Sequence, residues 1–237
     1  MSDRTTRLIG LYAVAAALVA VVVSPLLSLA YFATSGGVHQ LQSPTVSGWA
    51  VPGRHLAGGL LTWASPARVY GTYWLTFWLL FAAVFFCARA VHAGRPADVG
   101  ALERWGWRLA LVGYALGAVG SLSAIAVLVT GSAENVVIDT AFVAVMLPAI
   151  VIDAVGSTLL GVALLRNRYQ PRITAWLLVL AFPSILGISA VLGNFSLGLS
   201  VVLVAWATSG WRLWRGGRPT ASQPRLLVDR GVGAGSR

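Results

Sequence analysis

Lysine is missing from the 237 residues, cysteine occurs once, and charged side chains make up only 10% of the chain. The lone Cys87 excludes an intrachain disulfide, a CxxC redox pair and a cysteine-based zinc site. Histidine is scarce as well. His39 and His55 share one loop with no third ligand at metal spacing, since Glu134 and Asp139 belong to another loop. His92 lies at the opposite face, which leaves no intramembrane pair for haem ligation. Neither a metal nor any other cofactor is therefore expected. An ordinary soluble domain carries about 25% charged residues. This chain, with 57% hydrophobic side chains, is marked instead as an integral membrane protein.

What is present is apolar length. A hydrocarbon core of about 30 Å needs about 20 apolar residues in a helix. Six runs meet that length: Leu8–Phe32, Val69–Val91, Trp107–Val129, Ile138–Leu165, Ile173–Leu192 and Phe195–Trp211. The expected fold class is an all-α, polytopic helical membrane protein of about six transmembrane helices. Ser65-Pro66 reads as an N-cap followed by proline at the first helical position, and Asn194 is placed to cap the last run after Gly193. Because only Gly193-Asn194 divides the last two runs, one broken or re-entrant helix is the alternative to two spans.

All 17 basic residues are Arg, and they segregate. With the N-terminus inside, fifteen fall on cytoplasmic segments and only Arg54 and Arg68 outside, as the positive-inside rule requires. Both termini are then cytoplasmic. The net charge of +10 thus reads as a topology signal, with anionic lipid headgroups as its partner rather than nucleic acid. An all-Arg, Ala-, Val- and Gly-rich composition suggests a GC-rich bacterial genome, hence a bacterial cytoplasmic (inner) membrane.

Residues 1–214 form a single expected bundle, and 215–237 a basic, disordered cytoplasmic tail rich in Gly, Ser, Pro and Arg. Arg4 and Arg7 before the first run and Ser28-Leu29-Ala30 near its end resemble a signal peptide, but the run of about 25 residues exceeds a signal core of about 7 to 15, so it is read as a span. The loop 33–66 carries Val46, Trp49, Val51, Leu56, Leu60, Leu61 and Trp63. It predicts one or two short helices at the outer interface, with Trp rings at headgroup depth; a lid over an outward cavity is the alternative.

Small residues let membrane helices approach. Ala110, Gly113, Gly117, Gly120, Ser121 and Ala124 make such a stripe on the third span, with Gly113 and Gly117 in a GxxxG spacing. Packing within the chain is the favoured use and a homodimer face the other.

Inside AIVIDAVGS, Asp153 lies about 18 Å from each end of its run, near the midplane. A carboxylate there costs about 2.5 to 3.5 kcal/mol on insertion scales, so it must face protein or a wet cavity. Matching depths nominates Ser121, Ser123, Ser184 and Ser24 as companions. Pro25, Pro148 and Pro183 free the carbonyls of Val21, Ala144 and Val179 in the same layer. As helix glue, a neutral carboxyl would bond a serine or a freed carbonyl; as a functional site it would carry protons.

No nucleophile–base pair or metal set accompanies it, so an enzyme is not expected. The favoured function is a non-catalytic multi-pass protein that scaffolds, assembles with a homo-oligomer or another membrane partner, or senses the envelope. The alternative is a small proton-linked transporter or channel using Asp153.

Overall fold

The computed structural model describes residues 2–96, 98–134 and 136–217. The tail expected at 215–237 therefore falls, beyond residue 217, outside the described residues. Those described form helices joined by short turns, with no strand among them. Four helices are long and apolar enough to cross a membrane: α1 (Asp3–Tyr31), α3 (Pro66–Ala93), α4 (Ala101–Thr130) and α5 (Val136–Arg166). Between α1 and α3 lies α2 (Pro44–Leu56), flanked by short turns at Ser35–Val38, His39–Gln42 and Gly58–Leu61. After α5 come α6 (Arg172–Val179) and α7 (Ala181–Leu192), bent by 45° and apolar enough to cross only if counted together. The last helix is α8 (Ser196–Trp214).

Six apolar runs thus become four clear candidate spans, or five with the bent pair. The sixth expected run, α8, lies outside that count. The break at Gly193-Asn194 holds. Gly193, at φ 77°, ends α7 in the left-handed conformation, as glycine does at a helix C-terminus. Asn194 Oδ1 accepts the Ser196 N–H (2.9 Å), so the last two runs are distinct helices. A further interruption lies inside the fifth run, ahead of Pro183.

Each irregularity has a chemical cause. In α4, Ser121 turns its hydroxyl onto the Gly117 carbonyl (2.7 Å). Ser123 does the same to the Gly120 carbonyl (2.5 Å). Such back-bonding competes with the helical ladder, and the helix breaks at Leu122–Ser123. In α5 a π-helical turn at Phe142–Met146 precedes Pro148. At the α6–α7 bend, Pro183 cannot donate to Val179. Thr158 of α5 fills the gap: its hydroxyl accepts the Phe182 N–H (3.0 Å) and donates to the Val179 carbonyl at a long 3.4 Å.

Glycines set the helix crossings. A Cβ on Gly10 of α1 would stand 2.4 Å from the Gly210 carbonyl oxygen of α8, and one on Gly156 of α5 only 2.4 Å from the Ala110 nitrogen of α4. Gly161 meets Val179 of α6 in the same manner, and Gly198 meets Ile185 of α7. These contacts make α4–α5 and α1–α8 the most closely joined pairs, with α3 against α1 and α4.

The start of α1 and the end of α8 share one end of the bundle, where Asp3, Arg4, Arg7 and Trp214 line a common groove. At the other end, residues of the 33–66 segment and of the α4–α5 and α7–α8 turns surround one cavity. The 33–66 segment is helical and partly folded back: Val46 and Ala50 are buried and Trp49 packs edge-on to Phe32 at 5.8 Å, whereas Leu56, Leu60 and Trp63 face outward.

Candidate functional site

Asp153 is 1% exposed at the α4–α5 crossing. A Cβ on Gly113 would come 2.6 Å from its backbone nitrogen, so the stripe glycine opposite it is there to let the two backbones touch. One turn further along α5, Ser157 donates to Asp153 Oδ1 (2.7 Å). Tyr114 of α4 is 2.7 Å from the same hydroxyl, and the Trp206 indole N–H of α8 donates to the Tyr114 oxygen (2.9 Å). Ser157 has one hydroxyl proton and gives it to Asp153, so Tyr114 donates to Ser157, and the bonds run one way: Trp206 to Tyr114, Tyr114 to Ser157, Ser157 to Asp153. Three helices are tied by this row. Asp153 Oδ2 is buried with no hydrogen-bond partner among the described residues.

The serines nominated by depth do not supply the bonds. Ser121 and Ser123 are committed to carbonyls of their own helix. The Ser24 carbonyl accepts from Ser28 (3.2 Å) and Ser196 (3.0 Å), a separate seam between α1 and α8. Ser184 sits on α7, where its carbonyl oxygen would be 2.6 Å from a Cβ on Gly198. Depth is shared by residues on all sides of a bundle, whereas contact requires the right helical face. Ser157 was legible at i+4 from Asp153; Tyr114 and Trp206 had no local signal.

The remaining stripe residues also turn inward. A Cβ on Gly117 would meet the Phe81 ring of α3 at 2.7 Å and one on Gly120 the Met146 sulfur at 3.1 Å, while Ala110 is fully buried against Gly156. Cys87, buried on α3, donates weakly to the Trp206 carbonyl (3.5 Å).

A second polar centre was missed by the sequence reading. Glu103, at the start of α4, is 1% exposed and accepts a two-point salt bridge from Arg95 (2.8 and 3.1 Å). Trp107 Nε1 (3.2 Å) and Asn167 Nδ2 (2.5 Å) donate to the same carboxylate. His92 stacks on Trp107 at 4.7 Å, and Trp107 lies 5.9 Å from Trp206, so this knot adjoins the Asp153 row through an aromatic contact. Nearby, Tyr169 and Thr174 both reach Ser209 (2.9 Å each). Burial pushes the Tyr169 phenol above its ordinary range. The missed signal was Glu103 and Trp107 at i and i+4, with Arg95 upstream.

Among the described residues no three His, Cys, Asp or Glu side chains converge as a metal site would require. Fold and site together define the chain's class: an all-α bundle of long apolar helices, consistent with a membrane protein, held by a glycine seam and two buried polar centres. No protein-family model, curated protein or solved structure matches it.

Proposed function

We propose that the chain is a non-catalytic, multi-pass membrane protein of assembly or envelope-sensing type, in which Asp153 is a structural lock. The observation that carries this reading is the enclosure of Asp153. It is almost fully buried, pressed against the backbone of α4 at Gly113, and bonded into a row that ends on an indole. None of four cavities at the surface is lined by it. A coupling site needs water or substrate to reach the carboxyl.

The chain crosses a bacterial cytoplasmic membrane six times in this reading, with both termini inside. What supports six is that α8 runs beside α1 between the same two ends, and that the bent α6–α7 pair carries its own patch at Thr158. What supports the orientation is charge: Arg4, Arg7, Arg95, Arg104, Arg168 and Arg212 gather at the end holding the termini, and Glu134 and Asp139 at the other.

Two measurements test this. In proteoliposomes, wild type and Asp153→Asn are compared for proton movement against a solute panel, with detergent thermal stability measured in parallel; the expected result is no solute-dependent flux in either and altered stability in the variant. Flux that disappears in a variant of unchanged stability would mean transport. For topology, Gly48→Cys and Gly100→Cys, both at open positions, are made in a Cys87→Ser background. An impermeant maleimide is expected to label residue 48 in intact cells and residue 100 only after permeabilisation; the reverse inverts the orientation.

A further inference from the structure

At the end opposite the start of α1 and the end of α8, a cavity of about 450 Å³ falls within the size of small-molecule sites. Glu134 and Asp139 stand at its rim and none of its lining residues is basic. Glu134 is laid over Gly36, where a Cβ would come 3.4 Å from Oε1. One wall is continuous aromatic surface, because Tyr31 and Tyr70 are 5.5 Å apart and Tyr70 and Trp74 5.3 Å. Buried polar atoms are ordinarily paired, and two residues of this lining break the rule. Trp74, 4% exposed, has an indole N–H without a partner among the described residues, and Gln40 Oε1 is a buried acceptor without one.

Negative charge, ring faces, one unfilled donor and one unfilled acceptor describe a complementary molecule. We propose that this cavity binds a small organic ammonium ion with an apolar body and an oxygen acceptor, the chemistry of an amino alcohol. The ammonium takes the carboxylates and the ring faces, as cations do over Trp and Tyr. The oxygen accepts from the Trp74 N–H, and Gln40 Oε1 accepts a hydrogen bond from the ligand. A free amine and an amine-bearing lipid headgroup offer the same groups. The proposal supplies the sensing reading with a ligand class, and it rests on that reading only for the compartment from which the ligand arrives.

The test is calorimetric titration of the purified full chain with phenylalaninol, and with two relatives that each lack one group: 2-phenylethylammonium, without the oxygen, and 3-phenylpropan-1-ol, without the charge. Saturable binding of phenylalaninol is expected, weakened about tenfold for the uncharged alcohol and by Glu134→Gln or Asp139→Asn. Trp74→Phe keeps the ring and removes the N–H. It is expected to weaken phenylalaninol severalfold and leave 2-phenylethylammonium unchanged, a split that general loosening of the fold would not produce. Repeating the titration in nanodiscs separates the sources: competition by phosphatidylethanolamine over phosphatidylglycerol assigns a lipid headgroup, and its absence assigns a soluble amine. Equal binding of the neutral alcohol, indifference to both carboxylate variants, or saturation by calcium without response to phenylalaninol overturns the proposal. Binding in detergent is blind to sidedness, so its failure is separate from a failure of the cysteine-labelling topology.

Discussion

Glu103 opens α4 and Glu134 follows its far end, so one helix separates two carboxylates in opposite circumstances. Glu103 is gripped by Arg95, Trp107 and Asn167 and closed off from solvent. Glu134 is exposed at the rim of a cavity with aromatic walls and no basic lining. The difference teaches how a bundle with so few charges divides their work. At Glu103 the fold provides the partners, and the charge fixes the meeting of α3, α4 and the turn after α5. Where partners are left out, the charge is available to something that is not part of the chain.

The largest effect should come from breaking the sealed end. Glu103→Gln leaves the Arg95 guanidinium buried beside an amide, and losing one member of such a pair costs about 3 to 5 kcal/mol. Thermal unfolding in detergent should show a large fall in Tm, mostly recovered when Arg95→Met is combined with Glu103→Leu; an unchanged Tm for the single variant would mean that the knot is solvated.

Next in size is the seam that lies between the two ends. Gly156→Ala places a methyl 2.4 Å from backbone of α4. Overpacking of that kind costs about 1 to 3 kcal/mol. Gly187→Ala, with open space around it, is the matched control and should leave the melting temperature where it is.

Smaller again is the Asp153 row. Tyr114→Phe removes the acceptor for the Trp206 N–H and the donor to Ser157, worth about 1 kcal/mol in a membrane bundle. Tryptophan emission should shift if Trp206 loses a real bond. The smallest effect on stability belongs to the open end: Glu134→Gln and Asp139→Asn should move stability by no more than about 0.5 kcal/mol, as exposed substitutions do. A loss as large as that of Glu103→Gln would erase the contrast between the ends.

Several features of the structure were legible from residue order, whereas the break of α4 at Leu122–Ser123 was not foreseen. Pro183 announced a freed carbonyl at Val179, and the helix bends there; Gly193-Asn194 read correctly as a stop and a cap. These depend on neighbours a few positions away. Beyond Ser157 at i+4, the row that holds Asp153 was not legible, because depth along a helix says nothing about azimuth. None of the four serines at its level supplies its bonds, while Trp206 reaches the row through Tyr114 from a helix at the far end of the chain. Glu103 escaped notice because its position near a span end is ordinary for a charge, and only its burial makes it unusual.

By itself, the sequence determined that the chain is helical, that several helices are long and apolar enough for a membrane, and that Pro183 and Gly193-Asn194 interrupt them. Those are consequences of hydrophobic length and local backbone chemistry. Only the tertiary structure decided which glycine meets which backbone, that Asp153 is bonded through Ser157 to two other helices, and that Glu103 is enclosed while Glu134 stands at a cavity. Such outcomes depend on side-chain direction after helices have packed, a long-range choice that no window of adjacent residues contains.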